Sequence, residues 1–271
     1  MLISVRHVTR YRYAEPVTYT IQSLRLTPAS FKGQRVLDWQ VRAGGVPPAL
    51  QFRDGFGNVV HLITVNARHQ ELEIAAGGTV ETQDCNGVVA GLANGAPPRV
   101  FLKETVHTKP DAAIRSLAEA VRGKDTLDRL HTLLGAVRDR VEYVPGATGS
   151  HTSAAEALAD GKGVCQDHAH IFIAAARTLA IPARYVTGYL VLDGQSTADA
   201  HHAWAEAWVE GLGWVGFDVA NRVCPTDCYV RLAAGLDAGY AAPIIGSRRG
   251  GETETLDVSV TVQQQQQTAQ Q

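Results

Sequence analysis

The stretch His202-Ala-Trp-Ala-Glu-Ala-Trp-Val209, followed by Glu210-Gly-Leu and Gly213-Trp-Val-Gly-Phe-Asp218, decides how this chain is read. The opening run alternates. His202, Trp204, Glu206 and Trp208 share one face of a strand, and Ala203, Ala205, Ala207 and Val209 share the other. A face of small residues suits packing against a helix. Glycines at 211 and 213 signal a turn into a second strand, and the loop length then fixes the register. A two-residue loop, Gly211 and Leu212, would set Asp218 opposite Ala205 and aim it away from His202. A three-residue loop, Glu210 to Leu212, pairs Val209 with Gly213 and sets Trp204 against Asp218. His202 and Asp218 then become diagonal neighbours on one face, roughly 7–8 Å apart at Cα and within side-chain reach. The sequence therefore permits an imidazole–carboxylate pair, in which the carboxylate fixes the tautomer and stabilises the imidazolium.

Upstream, the turn Gly161-Lys-Gly-Val164 leads into Cys165 and then an alanine-rich apolar run through Ile171, Phe172 and Ile173 to Ala176. This reads as a helix from about Cys165 to Leu179, ended before Pro182. A helix N-terminus carries partial positive charge and unpaired N–H groups. Both favour thiolate over thiol. The same amides, that of Cys165 included, could receive an oxyanion. Taken locally, a buried and inert cysteine fits the pattern equally well. A cysteine, a histidine and an aspartate in this order are, however, the set that nucleophilic thiol catalysis requires.

The rest of the chain divides by pattern. Ile3 to Tyr13 alternates like a strand, and Leu37, Trp39 and Val41 repeat that period. Asp54-Gly-Phe-Gly-Asn58 is a turn joining strands near Leu50–Arg53 and Val59–Val65. Leu72–Ala75 and Thr79–Thr82 suggest another hairpin around Gly77-Gly78. Past Pro97-Pro98 the pattern becomes helical, over Asp111–Val121, Thr126–Val141 and Ser153–Ala159, with Thr152 or Ser153 as the cap of the last. Strand-like runs follow at Ala183–Leu192, His202–Val209 and Trp214–Asp218, and a last one at Leu256–Val262. The reading is α+β. A β-rich N-terminal domain occupies 1–105, and a core 106–262 carries the cysteine helix and a C-terminal strand. Residues 263–271 form a glutamine-rich tail expected to be disordered.

Composition removes several function classes. The 271 residues include 27 Asp and Glu against 25 Lys and Arg, a net charge of -2, so bulk electrostatics make no case for nucleic acid or an anionic membrane. Ile171 to Ala176 is cut short by Arg177, and no apolar stretch approaches the roughly 18–20 residues that span a bilayer. The start, MLISVRHVTR, lacks the apolar centre of a signal peptide, so a reducing cytoplasm is expected. Cys85, Cys165, Cys224 and Cys228 then stay reduced. Cys224-x3-Cys228 lacks the second pair a zinc knuckle needs.

Four segments together carry a resemblance. They are Gly163-Val-Cys165-Gln-Asp-His-Ala-His170, then Arg177-Thr-Leu-Ala-Ile-Pro-Ala-Arg184-Tyr-Val-Thr-Gly188-Tyr, then His202-Ala-Trp204-Ala-Glu206, then Gly213-Trp-Val-Gly-Phe-Asp218. They resemble the core of the transglutaminase-like superfamily. His7-Val-Thr-Arg-Tyr11-Arg-Tyr13, with Leu24-Arg-Leu-Thr-Pro28, resembles the β-rich N-terminal domain of its bacterial members. The resemblance implies a papain-like core in which a helix carrying Cys165 packs on an antiparallel sheet. It implies a triad of Cys165 as nucleophile, His202 as base and acid, and Asp218 as orienting carboxylate. It implies acyl transfer through a thioester on a peptide or protein substrate, either hydrolysis or transamidation, with no cofactor. Asp218-Val-Ala-Asn221 departs from the Asp-Pro-Thr-Asn run common in relatives, which bears on the local turn. No calcium-site signature is visible, so metal independence is expected. An inactive binding module of the same fold is the second reading.

Residues near the set are weaker candidates. His168 lies one helical turn from Cys165 and suits a polar supporting role. With Cys165, His202 and Asp218 it could instead compose a zinc site. Gln166 could donate to an oxyanion or simply start the helix. Related folds place an upstream aromatic or amide donor beside the oxyanion, which makes Tyr143 a candidate. Asp167 is explained by the helix dipole, and Arg184 as an ion-pair partner. His201 alternates to the face opposite His202 and is rejected as the base.

Overall fold

A long alternating strand anchors the N-terminal half. In this computed structural model, which describes residues 1–44, 48, 50–92, 95–191 and 201–265, β1 runs over Leu2–Thr27. It pairs with β5 (His69–Thr82) and β4 (Val59–Val65), beyond which lie β2 (Gln34–Ala43) and β3 (Leu50–Arg53), in the order β2-β5-β1-β4-β3. Asp54–Asn58 forms the expected turn, with Asp54 Oδ1 accepting the amides of Phe56 and Asn58 at 3.0 Å each.

The hairpin expected at Gly77-Gly78 does not form, because these glycines sit inside one continuous strand. A Cβ on Gly77 would stand 2.5 Å from the Val5 carbonyl oxygen, and one on Gly78 2.1 Å from that of Asp38. The glycines let three backbones approach closely rather than turn the chain.

Helices begin where short polar side chains can cap them. α1 (Ala112–Ala120), α2 (Thr126–Arg140) and α3 (Ala154–Asp160) start after Asp111, Asp125 and Ser153, each accepting an amide three residues on. These helices pack around α4 (Cys165–Thr178), which is buried almost all round: Ile171, Phe172 and Ile173 have no exposed surface. Each such side chain contributes about 1.5–3 kcal/mol by leaving water. Arg177, in the last turn of α4, is buried but fully engaged. It donates to Phe101 O at 2.8 Å, Leu236 O at 2.7 Å, Ala183 O at 2.9 Å and Thr108 Oγ1 at 2.6 Å.

Behind α4 lies a second antiparallel sheet. Further short strands are β6 (Val88–Val89) and a parallel pair, β7 (Glu142–Tyr143) with β8 (Lys162–Gly163). The sheet then takes β9 (Ala183–Leu190), β10 (His201–Val209), β11 (Gly213–Phe217) and β12 (Tyr229–Gly235) in the order β12-β9-β10-β11-β6. Ala203, Ala205, Ala207 and Val209 join α4 in one core, as their small size foretold. Val230 and Leu232 pack instead with Ile3, Leu24 and Ile74 of the β1 sheet. The second sheet is thus covered on both faces.

β12 was not expected from the sequence. Every residue of Tyr-Val-Arg-Leu-Ala-Ala-Gly is buried, so it shows no alternation. Two C-terminal strands, β13 (Ile244–Gly250) and β14 (Glu254–Gln264), both pair with β1. The last strand therefore completes the N-terminal sheet, although the sequence grouped it with the core. Gln263 and Gln264 belong to it, bonded to the chain start, and the remainder of the expected tail from 266 lies outside the described residues.

Candidate active site

Three separate segments meet at one end of the inner strands of the second sheet. The hairpin takes the three-residue loop: Val209 pairs with Gly213 and Ala205 with Phe217, and Gly211 and Gly213 both adopt positive φ. His202 and Asp218 thereby share a face, with His202 Nε2 2.7 Å from Asp218 Oδ2. Cys165, at the start of α4, lies close enough to His202 to act on its imidazole. With Nε2 held by the carboxylate, Nδ1 is the ring nitrogen left for the sulfur. Asp218 is fully enclosed, His202 nearly so, and Cys165 half-buried.

The local sequence explains why α4 starts at the cysteine. Val164 has no side chain to cap the helix, so Asp167 reaches back and accepts the Val164 amide at 2.8 Å. The Thr148 hydroxyl donates to the same oxygen. A side chain on Gly163 would stand 2.9 Å from that oxygen, so glycine is required there. Asp167 is therefore more than a charge near a dipole: it is buried and forms the cap itself.

Electrostatics favour a charged pair. Burial works against a protonated His202, but hydrogen bonds to Asp218 and Cys165, with their negative charge, outweigh it and raise the imidazole to about 10. Burial likewise works against an ionised Asp218. Donors from His202, Tyr229 and Asn221, together with the imidazolium, hold it below the ordinary carboxylate range.

Two residues missed by sequence reasoning complete this corner. Tyr229 donates its hydroxyl to Asp218 Oδ2 at 2.7 Å, and Asn221 Nδ2 donates to the same oxygen at 2.7 Å. The Asn221 amide reaches Oδ1 at 3.2 Å. The Asp218-x-x-Asn221 spacing was a usable signal, while Tyr229 sits on the unexpected β12.

The weaker candidates have other partners. His168 places Nδ1 2.8 Å from Val164 O and Nε2 3.0 Å from Val141 O, tying the helix start to the end of α2. Tyr143 stacks on the His168 ring with centroids 6.1 Å apart. Gln166 Nε2 reaches the Gly149 carbonyl at 3.5 Å, a loop contact. Arg184 pairs with Glu206, as expected, with Nε 2.6 Å from Oε2, and Arg231 joins the same carboxylate.

Comparison with known proteins gives a consistent outline. The family described as the transglutaminase-like superfamily matches residues 115–219, and the bacterial transglutaminase-like N-terminal region matches residues 3–81. An uncharacterized protein of Mycobacterium leprae is 31% identical over 95% of this chain and 97% of its own length. An uncharacterized protein of Mycobacterium tuberculosis is 29% identical over 95% and 91%. The crystal structure of a candidate cysteine protease from Cytophaga hutchinsonii superposes with a TM-score of 0.70 at 22% identity, covering 97% of this chain and 98% of that one. At that identity the likeness concerns the fold.

Proposed function

The chain belongs to the transglutaminase-like superfamily, and from that premise we propose that it catalyses cysteine-dependent acyl transfer on peptide or protein amides. The observation that carries the reading is the position of His202, bonded to Asp218 at 2.7 Å and close enough to Cys165 for the sulfur to act on its imidazole. In this reading the Cys165 thiolate attacks the amide carbon. The oxyanion that forms lies at the start of α4, where backbone N–H groups are unpaired. His202, held as imidazolium by Asp218, gives its proton to the departing nitrogen as the C–N bond breaks, leaving a thioester. Water, or an amine, then attacks the thioester while His202 takes its proton, and the C–S bond breaks, which frees the acid or a new amide and restores the thiolate and imidazolium. Hydrolysis is the favoured outcome, since water is abundant and nothing in the site's residues excludes it. No step requires a cofactor.

The test is digestion of a peptide library followed by mass spectrometry, with and without added amine. The wild type should release cleaved peptides, or amine adducts, and Cys165→Ala should release neither. Iodoacetamide should label Cys165 first. Cys224 should react slowly, because burial and the nearby Asp84 push its thiol up. Equal labelling of all four cysteines, with no product from any peptide, would leave a binding module of the same fold.

A further inference from the structure

A second site lies at the other end of β10, on the side of the sheet that faces the N-terminal strands. Arg184 of β9 and Arg231 of β12 both converge on Glu206 of β10. Arg231 is bidentate, with Nε 2.8 Å from Oε1 and Nη2 3.3 Å from Oε2. Arg184 approaches Oε2 alone, with Nε at 2.6 Å and Nη2 at 2.5 Å. The side chains are 4%, 8% and 0% exposed for Arg184, Arg231 and Glu206, so two cations and one anion are buried together.

Both arginines line a cavity of about 380 Å³, and Glu206 does not. Its walls include Trp208, Trp214, Asn58 and Leu212, and among the described residues no acidic side chain lines it. Asn58 closes it from the N-terminal sheet and is spent on β12: Nδ2 donates to Ala234 O and Oδ1 accepts the Ala234 amide, both at 2.8 Å. Asp54 pairs with Arg25. Arg184 lies on the Trp214 ring, 3.9 Å from its centroid.

Arg177 supplies the contrast. It is as deeply buried, yet protein oxygens take Nε, Nη1 and Nη2 alike. Among the described residues, the Nη1 nitrogens of Arg184 and Arg231 donate to no protein acceptor. Arg184 Nη2 is enclosed beside Glu206 without an aligned hydrogen bond. Burial pushes Arg184 down to about 10, with Glu206 opposing and Arg231 assisting, so it remains charged at neutral pH. A net positive charge in an aromatic cavity calls for an anion with an apolar body.

We propose that this cavity binds an organic carboxylate, its charge on Arg184 and Arg231 and its apolar body against Trp208 and Trp214. Two sources share that chemistry, a free aryl-alkyl acid and the C-terminal carboxylate of a peptide. The site is independent of Cys165, so its fate does not depend on the acyl-transfer reading.

Calorimetric titration of the full chain tests it. The probes are 3-phenylpropanoate and N-acetyl-Ala-Phe, each compared with its own amide, and inorganic phosphate as an anion without an apolar body. At least one acid should bind saturably, tenfold or more tighter than its amide and than phosphate. The tighter of the two acids identifies the source. Leu212→Glu, on an exposed loop where folding is not at stake, should weaken binding at least tenfold by placing an acid at the rim. Arg231→Met should abolish it while leaving Arg184 and Glu206 as a neutral pair. Equal binding of acid and amide, equal binding of phosphate, no binding by any probe, or full affinity in Leu212→Glu would each overturn the proposal.

Discussion

His202 and Glu206 stand four residues apart on the same face of one strand, and each is the hub of a buried ion pair, yet the two are built for opposite ends. At His202 the cation does not outnumber its acidic partners: one imidazole stands with one carboxylate and one sulfur. The cation there is the side chain that titrates near neutrality, and its partners hold it at about 10. At Glu206 the cations are arginines, whose ordinary value lies far above neutrality and which stay charged at neutral pH even where burial lowers Arg184 to about 10, and they outnumber the anion. The first arrangement can move a proton. The second can only hold a fixed field. The difference teaches that burial of charge does not by itself mark chemistry; the titratability of the cation and the balance of charge do.

The comparison breaks most sharply at the carboxylates. Asp218→Asn should lower kcat/KM by about a thousandfold or more with the fold intact, the scale seen when a triad histidine loses its orienting acid. The basic limb should move with it. In the wild type the imidazolium persists until pH rises through about 10, where activity should fall; without the carboxylate that fall should come nearer neutrality. The folded pKa of His202 is raised, so its contribution to stability is complete below about 6.5 and is lost as pH climbs through 10. Glu206→Gln should instead leave the pH profile alone and cost about 3–5 kcal/mol of stability in urea melts, because two buried guanidiniums lose their counter-charge. Adding Arg231→Met should recover part of that loss. If Glu206→Gln shifted the basic limb as Asp218→Asn does, the two pairs would not be separate devices.

A second histidine sharpens the contrast. Burial holds His170 down at about 3, with His107 and Arg177 adding to the fall and Asp237 opposing it. The folded value lies below the unfolded one, so the unfolded chain takes the proton first. Stability should therefore decline as pH drops below about 6.5, by up to about 1.4 kcal/mol per unit for such a group. His170→Gln should flatten that acid slope in thermal melts and leave the alkaline limb of activity unchanged.

What was legible in the sequence followed from local rules. Gly211 and Gly213 marked the turn and left a two- or three-residue loop open; the three-residue loop that forms sets the register that puts Asp218 beside His202. Apolar spacing announced the helices over 111–121 and 126–141, and Thr152 or Ser153 announced the cap of the next, which Ser153 supplies. What stayed hidden depended on contacts distant in sequence. Gly77-Gly78 looks like a turn until β1 and β2 press against it. Tyr229 lies on a strand buried on both sides, where alternation vanishes, and its role depends on a carboxylate from another hairpin. Arg231 meets Glu206 for the same reason. Periodicity reports one face at a time, so a sheet between two layers is where it says least.

The smallest expected effect concerns Tyr229, and it separates a positioning role from a structural one. Its hydroxyl shares Asp218 Oδ2 with His202 and Asn221, all three donors at 2.7 Å. Each donor draws on the same lone pairs, so removing one leaves more of the carboxylate's charge for the imidazole. Tyr229→Phe should lower kcat/KM about three- to tenfold, because Asp218 loses one of the bonds that orient it, about 0.6–1.4 kcal/mol, within the usual scale for one hydrogen bond. The same change should move the basic limb upward by a few tenths of a pH unit, opposite in direction to Asp218→Asn. Asn221→Ala should act with the same sign. If Tyr229→Phe lowers the melting temperature while the limb stays in place, the hydroxyl serves packing alone, and the proton-moving end of β10 consists of Cys165, His202 and Asp218 without it.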